Sequence, residues 1–185
     1  YRLELMRSQR KEPIVPKDLL GTQATVKLLV ANEAYRYINK WITGVELGGA
    51  VGRYDLYQVA LRPWLWHLTL GADCRIFQDK NALEIIQAVF SDYTHSQVDT
   101  TKLSGSLRTR PYCVQYRESD FNFVSRLMEE EGIWYYFTHE DGQHKLVLAN
   151  SAGGHVALPE GTLAWTFQQT DDHTREDVVT DWRLK

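Results

Sequence analysis

The sequence predicts an α+β fold in which antiparallel strands surround two helices, and three observations support it. Residues 110–148 change hydrophobic period twice, from alternation to helical spacing and back to alternation. Residues 54–62 alternate without interruption, which is typical of a half-buried strand. Aromatic residues make up 12% of the 185 residues, with six Trp and ten Tyr, which favours bulky β-rich packing over disorder.

The first part of the chain is predicted to contain a small antiparallel sheet. Residues 1–18 are polar and include two prolines, so we interpret them as an extended connector. Residues 19–66 are assigned to a first β subdomain, and Pro63 ends its last strand because proline has no amide proton for the ladder. Such a set of strands could close into a barrel. Its strands are predicted over residues 22–31, 36–47 and 54–62.

Residues 67–110 are interpreted as a linker that contains one helix and one strand. The helix is predicted over residues 81–93, and the strand over residues 98–103. One face of the helix carries apolar residues at helical spacing, which predicts that this face is buried. These residues are Leu83, Ile86, Val89 and Phe90.

Residues 111–185 are assigned to a second β subdomain that begins with a strand, a helix and a hairpin. The helix is predicted to begin near Ser119, whose hydroxyl can cap the free amide of Phe121 or Asn122. Gly132 is predicted to end it, as glycine commonly does after the last helical turn. Further strands are predicted over residues 163–169 and 178–184.

Three consecutive acids, Glu129, Glu130 and Glu131, end this second helix. The negative end of the helix dipole disfavours them there by roughly 0.5 kcal/mol each. Two interpretations are open. Either the acids lie in solvent and are compensated in part by a nearby Arg or Lys, or they contact a partner or a neighbouring subunit.

An aromatic strand follows the helix, and its side chains alternate between two faces. Trp134 and Tyr136 point one way, whereas Tyr135 and Phe137 point the other. Either this strand is central and covered on both sides, or one of its faces lies at a subunit interface, where Trp and Tyr are favoured. We therefore regard residues 129–131 and 134–137 as candidate interface residues.

The sequence contains no motif for catalysis, for a cofactor or for a metal. It lacks the G-x-S-x-G nucleophile elbow, both glycine-rich phosphate loops and the H-E-x-x-H zinc motif. His139 and His144 stand at the two ends of a hairpin turn, and they are predicted to be a cross-strand pair of surface histidines. Cys74 and Cys113 are predicted to be buried thiols. We expect neither an enzyme nor a cofactor or metal site.

Charge and hydropathy exclude two further classes of function. The net charge is −3, with 21 basic and 24 acidic residues interspersed, whereas nucleic-acid binding usually leaves a basic stripe. No apolar run approaches the roughly 20 residues of a membrane helix, so stable membrane insertion is not expected. The chain starts without Met, and we expect it to be part of a longer protein.

Several segments closely resemble the VgrG family, the spike proteins of the bacterial type VI secretion system. These proteins are related to the tail hubs of contractile phages. The matching segments are residues 115–127 (QYRESDFNFVSRL), 129–137 (EEEGIWYYF), 75–80 (RIFQDK), 83–86 (LEII) and 35–44 (YRYINKWITG).

The resemblance implies a phage tail hub-like fold with two barrel-like antiparallel β subdomains and two inserted helices. It implies a structural role without enzyme activity, as the hub-like base of a homotrimeric spike. Such a spike sits on the hexameric Hcp tube, contacts baseplate proteins, and delivers effectors through a downstream needle and its tip protein. The resemblance also implies assembly in the cytoplasm, followed by secretion toward a target cell. Any effector enzyme would lie beyond this fragment.

The alternative is a carbohydrate-binding surface module. Trp64 and Trp66 could stack on sugar rings if they were exposed. A sugar-binding module predicts a monomer with exposed tryptophans, whereas a hub predicts a trimer with buried ones.

Overall fold

The structure is a computed structural model, and it describes residues 1–29 and 35–156. This part of the chain is mostly β, with three α-helices and two short 3-10 turns, Trp64–Thr69 and Ala152–Gly154. The helices are α1 (Pro16–Leu19), α2 (Ala82–Phe90) and α3 (Asp120–Glu130). The strands are β1 (Arg2–Ser8), β2 (Gln23–Leu29), β3 (Tyr35–Val51), β4 (Tyr54–Arg62), β5 (Ala72–Lys80), β6 (Val98–Lys102), β7 (Arg110–Ser119), β8 (Trp134–Glu140) and β9 (Gln143–Ala149).

The first sheet contains four antiparallel strands in the order β1-β4-β3-β2. One face carries a small apolar cluster of Ile42, Val59 and Leu61, against which Leu19 of α1 packs. The last six residues of β3 are exposed, so the hairpin of β3 and β4 extends beyond this cluster. The sheet therefore has a packed end and an open end.

The structure corrects the prediction for residues 1–18, which are expected from the sequence to be a connector. Residues 2–8 form β1, which pairs with β4 along its whole length. The pairing depends on the free edge of β4, about 50 residues away, which the local sequence does not reveal. The proposed division of the chain into domains stays a prediction.

The main hydrophobic core surrounds α2 and α3. Asn81 and Glu84 form a capping box at the start of α2: the Glu84 amide donates to Asn81 Oδ1 (3.0 Å), and the Asn81 amide donates to Glu84 Oε2 (2.7 Å). The helix begins as predicted but ends at Phe90, three residues early. Leu83, expected on the buried face, is only partly buried.

Both ends of α3 confirm the prediction from the sequence. The Asn122 amide donates to Ser119 Oγ at 3.2 Å. Gly132 adopts a left-handed φ of 65° after the helix. The Ile133 amide then donates to the Met128 carbonyl (2.8 Å), and the Gly132 amide to the Glu129 carbonyl (3.2 Å). This is the Schellman arrangement, and it gives hydrogen-bond donors to two carbonyls of the last turn that would otherwise have none.

Two smaller sheets complete the described fold. β5 and β7 form a two-stranded antiparallel ribbon. β9 lies between β6, to which it is parallel, and β8, to which it is joined by a hairpin. No sheet closes into a barrel within the described residues, so the barrel-like description is not confirmed. The strands predicted over residues 163–169 and 178–184, and the end of the strand predicted over residues 22–31, lie outside the described residues.

None of the helices in the described ranges is long and apolar enough to span a membrane.

Candidate interaction surface

The acids at the end of α3 are compensated by two arginines. Arg110 Nη1 lies 2.5 Å from Glu130 Oε2, and its Nη2 lies 2.6 Å from Glu131 Oε1. Arg126 contacts Glu130 more weakly, at 3.5 Å. The hydrogen bond from Arg110 is the main cause that lowers the pKa of Glu130. Glu129 is exposed and has no ion-pair partner among the described residues.

These contacts support the interpretation in which a nearby arginine compensates the acids. They leave Glu129 as the acid of this group that is available to a partner. Residues 129–131 and the aromatic strand adjoin through the two-residue turn at Gly132 and Ile133, so the two candidate sets are neighbours.

The aromatic strand, β8, lies at the edge of its sheet in the described part of the chain. Within the described residues, β8 has a strand neighbour on one side only, and the choice between a central strand and an interface strand stays a prediction. Tyr135 is exposed, and the other three aromatic residues are half-buried. An edge strand offers unpaired backbone groups that can pair with another chain.

One face of β8 is covered by the 3-10 turn Ala152–Gly154. Trp134 stacks on Tyr136 (ring centroids 5.7 Å apart) and on His155 (4.4 Å). A Cβ atom at Gly154 would lie 2.5 Å from Ala149 Cβ and 3.0 Å from Trp134 Cζ2. Only glycine fits there without displacement, so the turn lies directly on this face.

The other face of β8 points toward the core. Phe137 packs against the main core, and its ring lies 5.8 Å from that of His144. The Tyr135 ring meets Phe137 edge-on at 6.0 Å, and burial raises the pKa of Tyr135. Of the four aromatic residues, Tyr135 is thus the one whose side chain is most available to a partner.

His144 is buried, which corrects the prediction of a surface residue. The Trp64 amide donates to His144 Nε2 at 2.9 Å, so the ring proton must lie on Nδ1, which donates to Asn39 Oδ1 at 2.8 Å. The Asn39 amide group donates to Thr25 Oγ1 (2.9 Å), which also accepts from the Gly142 amide (3.2 Å). We call these five residues the buried polar network.

The buried polar network joins the first sheet to the hairpin of β8 and β9. Burial is the main cause that lowers the pKa of His144, to about 4, with smaller contributions from His139, Lys40 and His67. His139 is the register partner of His144, so the predicted cross-strand pair is confirmed. Nothing near His144 in sequence indicates its contacts with Asn39 and Trp64.

A second network, which sequence reasoning missed, surrounds Asp120. Its carboxylate is almost fully buried and accepts hydrogen bonds from Tyr93 Oη (2.7 Å), Gln115 Nε2 (2.6 Å) and Arg75 Nη2 (3.2 Å). Burial, followed by the hydrogen bond to Asp120, raises the pKa of Tyr93. These contacts join β5, β7 and α3 to the segment after α2.

A cleft of about 350 Å³ lies between the first sheet and the segment after α2. Trp41 forms one wall, with its ring centroid 5.5 Å from that of His67 and 4.8 Å from that of His95. Burial is the main cause that lowers the pKa of His67.

Residues 1–29 and 35–156 contain no group of three His, Cys, Asp or Glu side chains that could hold a metal ion.

The tryptophans of the carbohydrate hypothesis do not form an exposed stacking platform. Trp64 is 2% exposed and meets Phe90 edge-on at 5.1 Å. Trp66 is half-buried, and the guanidinium of Arg62 lies 4.6 Å from its ring centroid.

The two cysteines differ: Cys113 is buried as predicted, whereas the prediction for Cys74 is wrong, because it is exposed.

The sequence model for the phage tail baseplate hub (GPD) matches residues 1–185. The chain belongs to this family. It is 40% identical over 185 residues to the type VI secretion system spike protein VgrG1b of Pseudomonas aeruginosa, of which it covers 24%. It is 35% identical over 184 residues to VgrG1a of the same organism, of which it covers 28%. These matches confirm the VgrG resemblance predicted from the sequence.

The fold agrees with this assignment. A component of the Escherichia coli type VI secretion system, described as structurally similar to the bacteriophage T4 tail proteins gp27 and gp5, superposes with a TM-score of 0.75. The match covers 84% of this chain and 43% of that one, at 23% identity, so it shows the phage tail hub-like fold alone.

The chain spans only about a quarter of the length of the Pseudomonas relatives. Another relative is an actin cross-linking toxin, VgrG1 of Vibrio cholerae, which is 29% identical over 161 residues. The match covers 14% of that toxin.

Proposed function

We propose that this chain is a structural part of a type VI secretion spike, as the hub-like base of a homotrimer. The observation that carries the proposal is the family match over all 185 residues, together with relatives named as spike proteins. The role is mechanical, and the chain itself is not an enzyme. An effector enzyme, where the parent protein has one, lies outside these residues.

The proposed partners follow from this role. The base sits on the hexameric Hcp tube and contacts baseplate proteins. In front of it stand the needle, the tip protein and the effectors that the spike delivers. The spike assembles in the cytoplasm and is then driven out toward the target cell.

The packing of the described residues suits a part that transmits force without yielding. Both long helices carry side-chain caps at their N-termini, and α3 ends in a Schellman turn. The networks around Asp120 and His144 tie separate elements together with hydrogen bonds between buried groups. The hydrogen bonds of such networks help to fix the arrangement of a core.

Within this role, we assign a contact with a partner or a neighbouring subunit to the edge of β8 that has no strand neighbour among the described residues, and to the adjoining end of α3. Tyr135, Glu129 and Glu130 are its exposed members. The outer edge of β8, which pairs with no strand of residues 1–29 and 35–156, can add a strand from the other chain, and Tyr135 can anchor that strand.

The proposed function is tested by the molar mass of the full-length chain in solution, measured by light scattering. We expect a trimer that persists on dilution through the micromolar range. A monomer throughout that range would contradict the hub role and bring the carbohydrate-binding module back as the alternative.

The β8 contact is tested by Tyr135→Asp, with Tyr35→Asp as the matched control on another exposed tyrosine. A charge at the centre of an interface typically costs a few kcal/mol. We therefore expect the Tyr135→Asp variant to bind its partner about 100-fold more weakly than the unchanged chain does. The readout is co-purification of the full-length variants with the assembled tube, with circular dichroism confirming that both fold. Equal co-purification of the two variants would rule out this edge as a contact with the tube.

A further inference from the structure

The ribbon of β5 and β7 has one face on the core and one in solvent. Phe77 and Cys113 lie on the inner face and belong to the main core or pack against it. The outer face carries six side chains without a formal charge, and its largest members are exposed: Tyr116 by 64%, Ile76 by 62% and Tyr112 by 55%. We call this outer face the ribbon face. It consists of Cys74, Ile76, Gln78, Tyr112, Val114 and Tyr116.

Backbone strain marks both ends of the ribbon. Within residues 1–29 and 35–156, two non-glycine residues have a left-handed φ: Asp79 at 51° and Arg117 at 52°. Asp79 lies at one end of the ribbon, and Arg117 is the extra residue of a bulge at the other end. Residues other than glycine rarely adopt this conformation, and proteins tend to retain such strain where it serves a function. Here the bulge sets Arg117 over the Tyr116 ring, 5.1 Å from its centroid.

A second apolar face lies at the open end of the first sheet. Met6, Leu56, Tyr54 and Val51 share one side of β1, β4 and β3, and Met6 and Val51 are 70% and 61% exposed. The next row on the same side is Glu4, Gln58 and Glu46, in register across the three strands. We call this surface of four apolar residues and two acids the arm face. Glu4 and Glu46 have no ion-pair partner among the described residues.

We propose that the ribbon face of one copy of this chain packs against the arm face of the next copy. The inference rests on the proposed function, because a closed ring of three identical chains needs two different surfaces on each copy. The described residues present two such surfaces, which lie on separate sheets.

The charges at the rims of the two faces are complementary. Arg117 and Lys80, at the two ends of the ribbon, have no ion-pair partner among the described residues, and the arm face offers the two free acids. An apolar centre with opposite charges at the rim is the arrangement found in specific interfaces. Exposed apolar faces rimmed by polar residues mark such contacts.

The chain carries its own probe, because Cys74 lies on the ribbon face and Cys113 is buried beneath it. In the assembled full-length protein, we expect a thiol reagent to modify Cys74 at least about tenfold more slowly than in the variant Ile76→Asp, because thiol reactivity follows access. Cys113 should react slowly in both and so report that the variant is folded. Lys102→Asp, at an exposed site on β6, should leave both the trimer and the protection of Cys74 intact.

A cross-link identifies the surface that covers Cys74. A mild oxidant should join Met6→Cys of one copy to Cys74 of the next and give covalent dimers and trimers on a non-reducing gel. Lys102→Cys should give none, and adding Cys74→Ser to Met6→Cys should abolish the cross-link.

The outcomes separate this inference from the proposed function. A trimer in which Cys74 reacts freely would overturn the docking and leave the hub role standing. A protected Cys74 without the cross-link from Met6→Cys would overturn the assignment of the arm face. A monomer would overturn both proposals.

Discussion

At the scale of single residues, His144 shows how burial decides a role that the sequence does not indicate. A histidine beside a hairpin turn normally faces solvent. Here, one ring nitrogen accepts from the Trp64 amide and the other donates to Asn39, so both nitrogens are satisfied only in the neutral ring. Protonation would place a donor opposite the Trp64 N–H and remove that hydrogen bond.

We expect the fold to lose stability in acid because of His144. Its pKa of about 4 in the fold lies below the ordinary 6.5, so folding favours the neutral ring. The stabilisation is complete above pH 6.5 and is lost as the pH falls toward 4. His144→Gln should cost about 1–2 kcal/mol at pH 7.5 and should reduce the loss between pH 7.5 and 5.

The measurement is urea unfolding at the two pH values, followed by tryptophan fluorescence. His155→Gln is the control, because His155 is exposed and lies outside the buried polar network. His139 also titrates with a lowered pKa, caused mainly by burial, so part of the acid sensitivity should remain in the His144 variant. An unchanged pH dependence in the His144 variant would show that this ring does not control it.

At the scale of elements, α3 shows that helix ends are encoded within a few residues. Ser119 accepts from the Asn122 amide at one end, and Gly132 turns the chain with a positive φ at the other. Arg110, which lies on β7, forms ion pairs with Glu130 and Glu131 at the C-terminal end of this helix. The caps are local and predictable, whereas the compensating arginine is about 20 residues away.

Gly132, after α3, and Gly153, in the 3-10 turn Ala152–Gly154, provide a matched pair of substitutions. Gly132→Ala meets no atom within 4 Å, but it forces a Cβ into a left-handed conformation, which costs about 1–2 kcal/mol. Gly153→Ala meets only Ser151 Oγ at 3.8 Å, with no left-handed φ, and should be nearly neutral. Thermal unfolding should show a loss of roughly 2–8 °C for Gly132→Ala alone. Equal losses for both variants would mean that the left-handed conformation is not the cause.

At the scale of the whole molecule, the buried polar network connects two sheets that are far apart in sequence. Asn39, on β3, is fully buried and joins His144 on β9 to Thr25 on β2. Its side chain uses both its acceptor and its donor. The first sheet should therefore open together with the rest of the fold rather than independently.

Removing this connection should uncouple the first sheet. Asn39→Ala leaves the Nδ1 proton of His144 without an acceptor, which costs about 1–3 kcal/mol. Hydrogen exchange followed by mass spectrometry should then show faster exchange in β2 and β3 than in α2 and α3. Asn150→Ala, which removes a similar side chain from an exposed loop contact with Ser104, should leave this pattern unchanged. A uniform increase across all elements would indicate a general loss of stability instead.

The sequence predicted those features that depend on neighbouring residues. The ends of α3, the start of α2 and the hairpin after Gly132 were all accessible, because caps and turns involve residues within a few positions of each other. The pairing of β1 with β4, the exposure of Cys74 and the burial of His144 were not, because each depends on residues far away in sequence. The candidate interface of residues 129–131 and 134–137 stays a prediction, and only the structure shows which of these side chains are covered.

The sequence by itself determined the family and the kind of element at each of these positions, since long specific motifs, periodicity and capping residues are read locally. Only the tertiary structure decided that β8 is an edge strand of the described sheet and that Arg110 pairs with Glu130 and Glu131 at the end of α3. It also decided that the outer side of β5 and β7 is exposed. The physical reason is that alternation places side chains on two faces of a strand, and only the packing of distant elements determines which face is covered.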